Sequence, residues 1–346
     1  MGEAEETKST RSGIRRMVLG LLILVVVGGL VVAGVVVRRE LFDVDLTEVL
    51  PPVDVPAPSE PAAPKQVSDP QAPLEESALR GRIDYVALGD SYAAGPGLAT
   101  QRDDPASCAR STANYPAVLA ASLGVATYRD ASCTGARTAD VLGRQIRPTG
   151  GPVRPQASAL GRGTDLVTLT LGANDDGVSG DLLGGRCPEL ASQDPSGSPC
   201  RDSYLSDGRD ELMTRVLLLR PRLVDVVRTI RATAPRAAVV LVGYLDLFPP
   251  DDGCAEVPFA AGDLTWGASL VAAIDATLLS VARSEGVRFV DVRAAGAGHD
   301  ACSADPWVNG ATSVVGAGWA YHPTRDGMEG VARAVLAQLT GAPPGS

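Results

Sequence analysis

Hydrophobic and polar positions alternate in blocks along residues 81–346, where short β-branched runs are separated by longer stretches with helical spacing. The runs predict five strands, at residues 83–88, 125–129, 165–171, 237–243 and 287–292. The intervening stretches predict helices at residues 115–123, 210–233, 264–284 and 326–339. Strands that alternate with helices indicate crossover connections and a parallel sheet. We therefore expect an α/β domain, a three-layer sandwich with a five-stranded parallel sheet flanked by helices.

A different pattern occupies residues 17–37, which are apolar and carry no charge. As a helix this segment would be about 31 Å long, enough to cross the hydrocarbon core of a bilayer. Basic residues precede it and acidic residues follow Arg39, so the positive-inside rule places residues 1–16 in the cytoplasm and the remainder outside. A cleaved signal peptide is the alternative, although its apolar region is usually shorter.

Prolines are frequent in residues 38–80, with eight between Pro51 and Pro73. Proline fixes φ and removes a hydrogen-bond donor, and the interleaved Ala, Ser, Glu and Asp offer little to bury. We interpret residues 38–80 as a semi-rigid linker to the folded domain at 81–346, with a proline-rich ligand for a partner as the alternative.

All six cysteines lie beyond this linker, at Cys108, Cys133, Cys187, Cys200, Cys254 and Cys302. No two are spaced as a CxxC pair, so zinc-ribbon and thioredoxin-like sites are not indicated. An even count in an exported domain suggests three disulfides, although six free thiols are the alternative. The sequence allows fifteen connectivities, of which we expect the one that pairs neighbours along the chain.

Composition narrows the function classes. The formal net charge is −10 and the only basic cluster lies at the N-terminus, so we expect no nucleic-acid partner. The hydrophobic fraction of 45% is enough for a packed core. Only two histidines are present, His299 and His322, so we expect no metal centre, and no motif calls for an organic cofactor.

Four short segments carry residues suited to chemistry, and three of them follow predicted strands. These segments contain Gly89-Asp90-Ser91-Tyr92, Gly135, Gly172-Ala173-Asn174-Asp175 and His322-Pro323-Thr324. Functional groups of parallel sheets collect at the carboxyl ends of strands. Each segment alone also has an ordinary interpretation: a turn serine, a loop glycine, an asparagine helix cap or a surface histidine.

Together and in this order, the four segments resemble the motif blocks of the SGNH hydrolases, the flavodoxin-like superfamily that includes the GDSL lipases and esterases. The resemblance implies that Ser91 is the nucleophile and His322 the base. It also implies an oxyanion hole formed by the backbone N–H groups of Ser91 and Gly135 and by the side-chain amide of Asn174. The cysteine layout resembles secreted actinobacterial members with three disulfides. The resemblance covers residues 82–341 and none of the first eighty.

The family usually has an aspartate three residues before the histidine, where this chain has Trp319. Some members use a backbone carbonyl instead, so we expect the carbonyl of Trp319, or one beside it, to orient His322. His299 is the rival base, although its neighbour Cys302 favours a structural role. The reserve carboxylates are Asp300, Asp305 and Asp326.

The sequence therefore predicts a membrane-anchored, extracytoplasmic serine esterase or lipase that cuts lipid or cell-envelope acyl esters without metal or cofactor. The alternatives are a catalytically silent envelope-binding protein on the same fold, a polysaccharide deacetylase or acyltransferase, and a metal-dependent hydrolase. The sequence does not indicate an oligomeric state.

Overall fold

The computed structural model describes residues 71–74, 82–250 and 253–342. Its main sheet has five parallel strands in the order β2-β1-β3-β6-β7. These are β1 Asp84–Gly89, β2 Thr127–Asp130, β3 Leu166–Thr170, β6 Ala238–Val242 and β7 Arg288–Val290. A separate antiparallel pair joins β4 Leu205–Ser206 to β5 Arg209–Asp210. The predicted α/β sandwich with a five-stranded parallel sheet is confirmed.

The central strands are buried on both faces, as the continuous apolar runs predicted. Every residue of β3 is buried, and its neighbour β1 is buried from Tyr85 onward. The polar atoms inside this layer are satisfied, because the hydroxyls of Tyr85 and Thr168 hydrogen-bond at 2.7 Å. The edge strand β2 instead exposes Thr127 and Arg129. Strand β6, on the other side of β3, is also buried from Val239 onward, so β1, β3 and β6 form the centre of the sheet.

Eleven α-helices surround the sheet in the described ranges. They are α1 Ser91–Ala94, α2 Tyr115–Leu123, α3 Thr138–Leu142, α4 Val178–Leu183, α5 Arg186–Gln193, α6 Pro199–Ser203, α7 Glu211–Leu217, α8 Leu219–Thr233, α9 Ala261–Glu285, α10 Val292–Ala295 and α11 Arg325–Thr340. Helix α2 packs on α11, and α8 packs on α9. Right-handed crossovers place these two helix pairs on opposite faces of the sheet.

Two predicted segments differ from the observed structure. The helix expected at residues 210–233 is divided at Leu218 into α7 and α8. Pro221 explains the break, because its ring lacks an N–H and clashes with the carbonyl four residues earlier, at Leu217. The sequence predicts no helix in residues 180–208, which contain α5, α6 and most of α4.

Among the described residues, α9 is long and apolar enough to cross a membrane by length and composition. It packs against α8 and strands β6 and β7, and buries core side chains such as Leu270 and Leu278, so its apolar character serves the core. The predicted cytoplasmic tail at 1–16 and anchor at 17–37 lie outside the described residues.

Residues 71–74 fall within the predicted linker but pack on the folded domain. The backbone N–H of Leu74 donates to the Leu339 carbonyl at 2.8 Å, and Arg288 donates to the Ala72 carbonyl at 3.0 Å. Gln338 donates to the Gln71 carbonyl at 2.6 Å. Residues 71–74 therefore contact the end of α11 and strand β7, although they lie within the range predicted as linker. The composition of residues 38–80 could not predict these contacts, because the partners Arg288 and Gln338 are more than 200 residues away in sequence.

Three disulfides join neighbours along the chain: Cys108–Cys133, Cys187–Cys200 and Cys254–Cys302. The first links the loop before α2 to the loop after β2. It is fully buried, and the N–H of Thr134 also donates to the Cys108 carbonyl at 3.0 Å. This disulfide therefore holds the turn that contains Gly135 against the loop that precedes α2.

We expect replacement of both Cys108 and Cys133 by alanine to lower the free energy of unfolding by about 3 kcal/mol, because the unfolded chain regains loop-closure entropy. Urea unfolding of the unit Gln66–Ser346 measures the change. The Cys187→Ala/Cys200→Ala variant is the comparison, since it opens a shorter loop of 13 rather than 25 residues. An unchanged unfolding midpoint for the first variant would contradict the prediction.

Candidate active site

The site begins where β1 and β3 end side by side. The chain leaves β1 for β2 on one side and returns to β3 on the other, which makes this edge the topological switch point of the sheet. Gly89 is needed here, because its φ is +146° and a Cβ would lie 2.5 Å from the Thr170 carbonyl oxygen. The next N–H, of Asp90, donates to the same oxygen at 2.9 Å. Ser91 is thereby placed as the first residue of α1, beside the end of β3.

The side chain of Gln156 fixes this turn from behind. Its Oε1 accepts from the Gly89 N–H and its Nε2 donates to the Gly89 carbonyl, both at 2.8 Å. Gln156 is buried. A buried amide that completes both hydrogen bonds of one residue restricts that residue strongly, since breaking either leaves an unsatisfied polar group.

A cavity of about 790 Å³ opens at this edge of the sheet. Its lining includes three of the predicted site residues, Ser91, Asn174 and His322, although more than 80 residues separate each from the next. Trp319 also lines the cavity. Gly135 does not line it, but its neighbour Ala136 accepts a hydrogen bond from Asn174. The structure therefore brings the predicted residues to one place.

Two backbone N–H groups in the segments that follow β1 and β2 have no acceptor within the described residues. They belong to Ser91 and to Gly135, whose φ of +73° is in the left-handed region that favours glycine. The Gly135 turn is held to the end of β1, because Cys133 N–H donates to the Gly89 carbonyl at 3.0 Å. These two groups are donors available to a negatively charged oxygen.

The side-chain amide of Asn174 is oriented by two neighbours. Its Oδ1 accepts from the Ser179 hydroxyl at 2.8 Å, and its Nδ2 donates to the Ala136 carbonyl at 3.1 Å. The hydroxyl contact and the carbonyl contact agree on which end of the amide carries the hydrogens. Because Nδ2 has two hydrogens, one N–H remains for a ligand in the cavity.

The imidazole of His322 is held by the carbonyl of Ala320, the residue beside Trp319, which was the second of the two possibilities predicted. Nδ1 lies 2.7 Å from the Ala320 oxygen, and a carbonyl can only accept, so Nδ1 carries the proton. The Trp319 carbonyl is already engaged, because it accepts from the His322 backbone N–H at 3.2 Å and from Asn309 at 3.3 Å. In the neutral ring, Nε2 therefore has the free lone pair.

The surroundings of His322 disfavour its charged form. Burial lowers the pKa of His322 below 6.5, and the hydrogen bond to Ala320 opposes that shift. The rings of Tyr92 and Trp319 lie 5.8 and 6.1 Å from the imidazole, centre to centre. Within the described ranges no carboxylate forms a hydrogen bond or ion pair with this histidine. The ring is thus a neutral base at neutral pH.

The rival base and the reserve carboxylates have other contacts. His299 stacks on Trp307 with ring centres 4.5 Å apart and contacts the Asp305 carbonyl at 2.7 Å, away from the cavity lining. Asp300 accepts from the Cys302 N–H at 2.8 Å, and Asp326 lies in the first turn of α11. These residues serve local structure.

Two tyrosines with no role predicted from the sequence connect the parts of the site. The Tyr244 hydroxyl donates to Asp90 Oδ2 at 2.5 Å and accepts from the Ala173 N–H at 3.1 Å. The Tyr92 hydroxyl donates to the Tyr321 carbonyl at 2.9 Å, beside His322. The signal that could have identified Tyr244 is its position directly after strand β6, at the same edge of the sheet.

Asp90 is committed to this framework. Its Oδ1 accepts from the Tyr92 N–H at 2.9 Å and caps α1, while Oδ2 accepts from Tyr244. Burial raises the pKa of Asp90 to about 7, and the hydrogen bond from Tyr244 opposes the rise. Both oxygens are therefore engaged in holding the Ser91 turn.

The parallel sheet and the cavity at its carboxyl edge define a hydrolase of the SGNH class. The chain belongs to the GDSL-like lipase/acylhydrolase family, which matches residues 87–329. It is 39% identical over 237 residues to Lipase 2 of Streptomyces coelicolor, covering 64% of this chain and 74% of that protein. It is 32% identical over 247 residues to a lipase of Streptomyces rimosus, covering 71% and 82%.

Two solved structures share the fold. The extracellular lipase of Streptomyces rimosus has a TM-score of 0.61 at 30% identity, covering 74% of this chain and 99% of that chain. Phospholipase A1 of Streptomyces albidoflavus has a TM-score of 0.61 at 30% identity, covering 75% and 98%. Each of these solved chains is matched over almost its whole length, and the compact unit Gln66–Ser346 of this chain contains the entire described core.

We expect Tyr244→Phe to lower kcat by about tenfold with KM nearly unchanged, because the Ser91 turn and the Asn174 loop lose their shared hydroxyl and the reacting groups shift relative to each other. Steady-state hydrolysis of a soluble ester measures both constants. Tyr204→Phe is the matched control, since Tyr204 is buried and its hydroxyl has no hydrogen bond among the described residues. Equal kinetics for the two variants would rule out a positioning role for Tyr244.

Proposed function

We propose that the protein is a membrane-anchored, extracytoplasmic serine esterase that hydrolyses lipid acyl esters through Ser91 and His322. The observation that carries this proposal is the shared cavity, in which a serine, an oriented asparagine amide and a neutral histidine meet at the ends of β1 and β3. Such a set fills the roles of nucleophile, oxyanion donor and base.

In the proposed mechanism the Ser91 Oγ attacks the ester carbonyl carbon while Nε2 of His322 accepts its proton. The carbonyl oxygen becomes an oxyanion, and the N–H groups of Ser91 and Gly135 and the Asn174 amide donate to it. His322 then protonates the leaving alcohol, which leaves an acyl ester on Ser91. A water molecule, deprotonated by the same nitrogen, releases the acid and restores the serine.

The Ala320 carbonyl takes the place of the aspartate in this scheme. It keeps the proton on Nδ1, so that Nε2 faces the chemistry as a base. When the ring becomes an imidazolium, the carbonyl dipole stabilises the Nδ1 proton. This neutral acceptor interacts with the cation more weakly than a carboxylate would, which agrees with the lowered pKa of His322.

Lipid esters are the substrate class that the site favours. The cavity wall includes the apolar side chains of Leu183, Pro188 and Pro258. The similar proteins named above are lipases and a phospholipase A1. An anchor at residues 17–37 would hold the domain at a membrane, where such esters are present. The three disulfides and the extracellular relative support an extracytoplasmic location.

We expect Ser91→Ala and His322→Ala each to reduce hydrolysis of p-nitrophenyl esters by roughly 10⁴-fold or more, because each removes a participant in the same proton transfer. Asn174→Ala should lose roughly 10²- to 10³-fold, the cost of one oxyanion donor. The assay uses the unit Gln66–Ser346 with a chelator present. The proposal fails if Ser91→Ala retains the parent rate or if the chelator abolishes the activity.

The pH dependence of kcat/KM should follow the protonation of His322. Only the unprotonated imidazole accepts the serine proton, and burial lowers its pKa, so kcat/KM should fall on acidification with a midpoint below 6.5. Asp90→Asn is the control, because Asp90 itself has a pKa of about 7. A midpoint near 7 that disappears in Asp90→Asn would assign the acid limb to Asp90 and contradict the expectation for His322.

A further inference from the structure

A turn at the mouth of the cavity exposes apolar side chains to solvent. Val315 is fully exposed, Val314 is 50% exposed and Trp319 is 42% exposed. We name these three residues the apolar tip. Large apolar side chains that are exposed together mark interaction sites more often than isolated ones do.

The backbone of the apolar tip is held in place. Val314 N–H donates to the Gly318 carbonyl and Ala317 N–H donates to the Val314 carbonyl, both at 3.0 Å. The base of the turn is tied to the loop after α1, because Ala99 N–H donates to the Gly316 carbonyl at 3.0 Å. The two valines are therefore presented outward by a fixed turn, and binding through them would require little ordering.

The chain segment that carries the apolar tip is free of charge in an acidic protein. No Asp, Glu, Lys or Arg occurs between Asp305 and Arg325, whereas the whole chain contains 41 acidic and 31 basic residues. A partner of this segment therefore makes no ion pair with it. The chemistry that fits is an apolar or zwitterionic surface, because an anionic surface would be repelled by the net charge of −10.

The same segment forms part of the catalytic cavity. Ser313, Trp319 and Ala320 line the cavity, and the Trp319 ring lies 6.1 Å from that of His322. A surface that contacts the apolar tip therefore lies next to the entrance through which an ester must reach Ser91.

We propose that the apolar tip inserts into the surface of a zwitterionic phospholipid bilayer and so places the cavity entrance against lipid. Three side chains are too few for a stable protein interface, which buries roughly 1,200–2,000 Å² in total. They suit a bilayer, because valine partitions into the acyl region and tryptophan prefers the interface. This docking proposal rests on the proposed function for the reason why the protein would bind lipid. The vesicle-binding test does not depend on that function.

The binding test uses the unit Gln66–Ser346 with Ser91→Ala, so that lipid is not consumed, and phosphatidylcholine vesicles. Trp266 and Trp307 are only 7% and 9% exposed, so the tryptophan signal that changes on binding belongs to Trp319. We expect cosedimentation with vesicles, a blue shift of tryptophan emission, and no loss of binding in high salt. Absence of cosedimentation, or binding abolished by salt, would overturn the proposal.

The variant test compares Val315→Asp with Leu217→Asp in the same background. Leu217 is 67% exposed at the end of α7 and does not line the cavity, so it matches the change in charge at another exposed apolar position. We expect Val315→Asp to weaken vesicle partitioning by about tenfold or more, and Leu217→Asp to leave it within about twofold. Equal effects of the two substitutions would overturn the assignment to the apolar tip.

A soluble substrate separates docking from catalysis. With Ser91 present, Val315→Asp should hydrolyse p-nitrophenyl acetate at the parent rate, because Val315 does not line the cavity. A parent protein that binds vesicles but hydrolyses no ester would reject the proposed function and leave the docking proposal standing. A Val315→Asp variant that loses vesicle binding and soluble-ester hydrolysis together would reject docking as the cause.

Discussion

The close approach of the ends of β1 and β3 at Gly89 is the constraint on which the rest of the site depends. The Thr170 carbonyl occupies the place of a Gly89 side chain and accepts the Asp90 N–H. Gln156 completes the hydrogen bonds of Gly89 from the other side. Because buried hydrogen bonds are costly to leave unmade, this turn has one conformation. That conformation places Ser91 in the lining of the cavity.

The other parts of the site are attached to this turn through backbone groups and tyrosine hydroxyls. Cys133 links the Gly135 turn to the Gly89 carbonyl, and Tyr244 links Asp90 to the loop that carries Asn174. Tyr92 links the turn to the carbonyl next to His322. The geometry required for chemistry therefore depends on hydrogen bonds rather than on ion pairs, which are more sensitive to salt. The base is held in the same way, because the Ala320 carbonyl accepts a hydrogen bond from the His322 imidazole.

The loop that carries His322 contributes both to the cavity and to the exposed surface. Residues of one uncharged segment form part of the cavity wall, hold the imidazole and expose the apolar tip. A segment with these three roles couples the place where lipid would be met to the place where an ester would be cut. The fixed turn that presents Val315 needs no closing motion for that coupling.

The sequence by itself determined the layers of the fold and the residue types of the site. Runs of β-branched residues favour buried strands, and the helical spacing of apolar residues favours helices. All five strands and most of the long helices could therefore be predicted from local pattern. Ser91, Asn174 and His322 could be selected because the four short motifs, taken together and in order, resemble the blocks of the SGNH hydrolases. The turn at Leu218 was also encoded locally, by Pro221, although the helical spacing concealed it.

Only the tertiary structure decided which groups touch those residues. Ala320 rather than Trp319 holds the histidine because the Trp319 carbonyl already accepts from the His322 backbone and from Asn309. The roles of Tyr244 and Gln156, and the packing of residues 71–74 on α11, depend on partners 60 to more than 200 residues distant in sequence. The local sequence pattern indicates which secondary structure a segment forms and which of its faces is buried. A hydrogen bond between distant segments, in contrast, forms only once the sheet has brought those segments together.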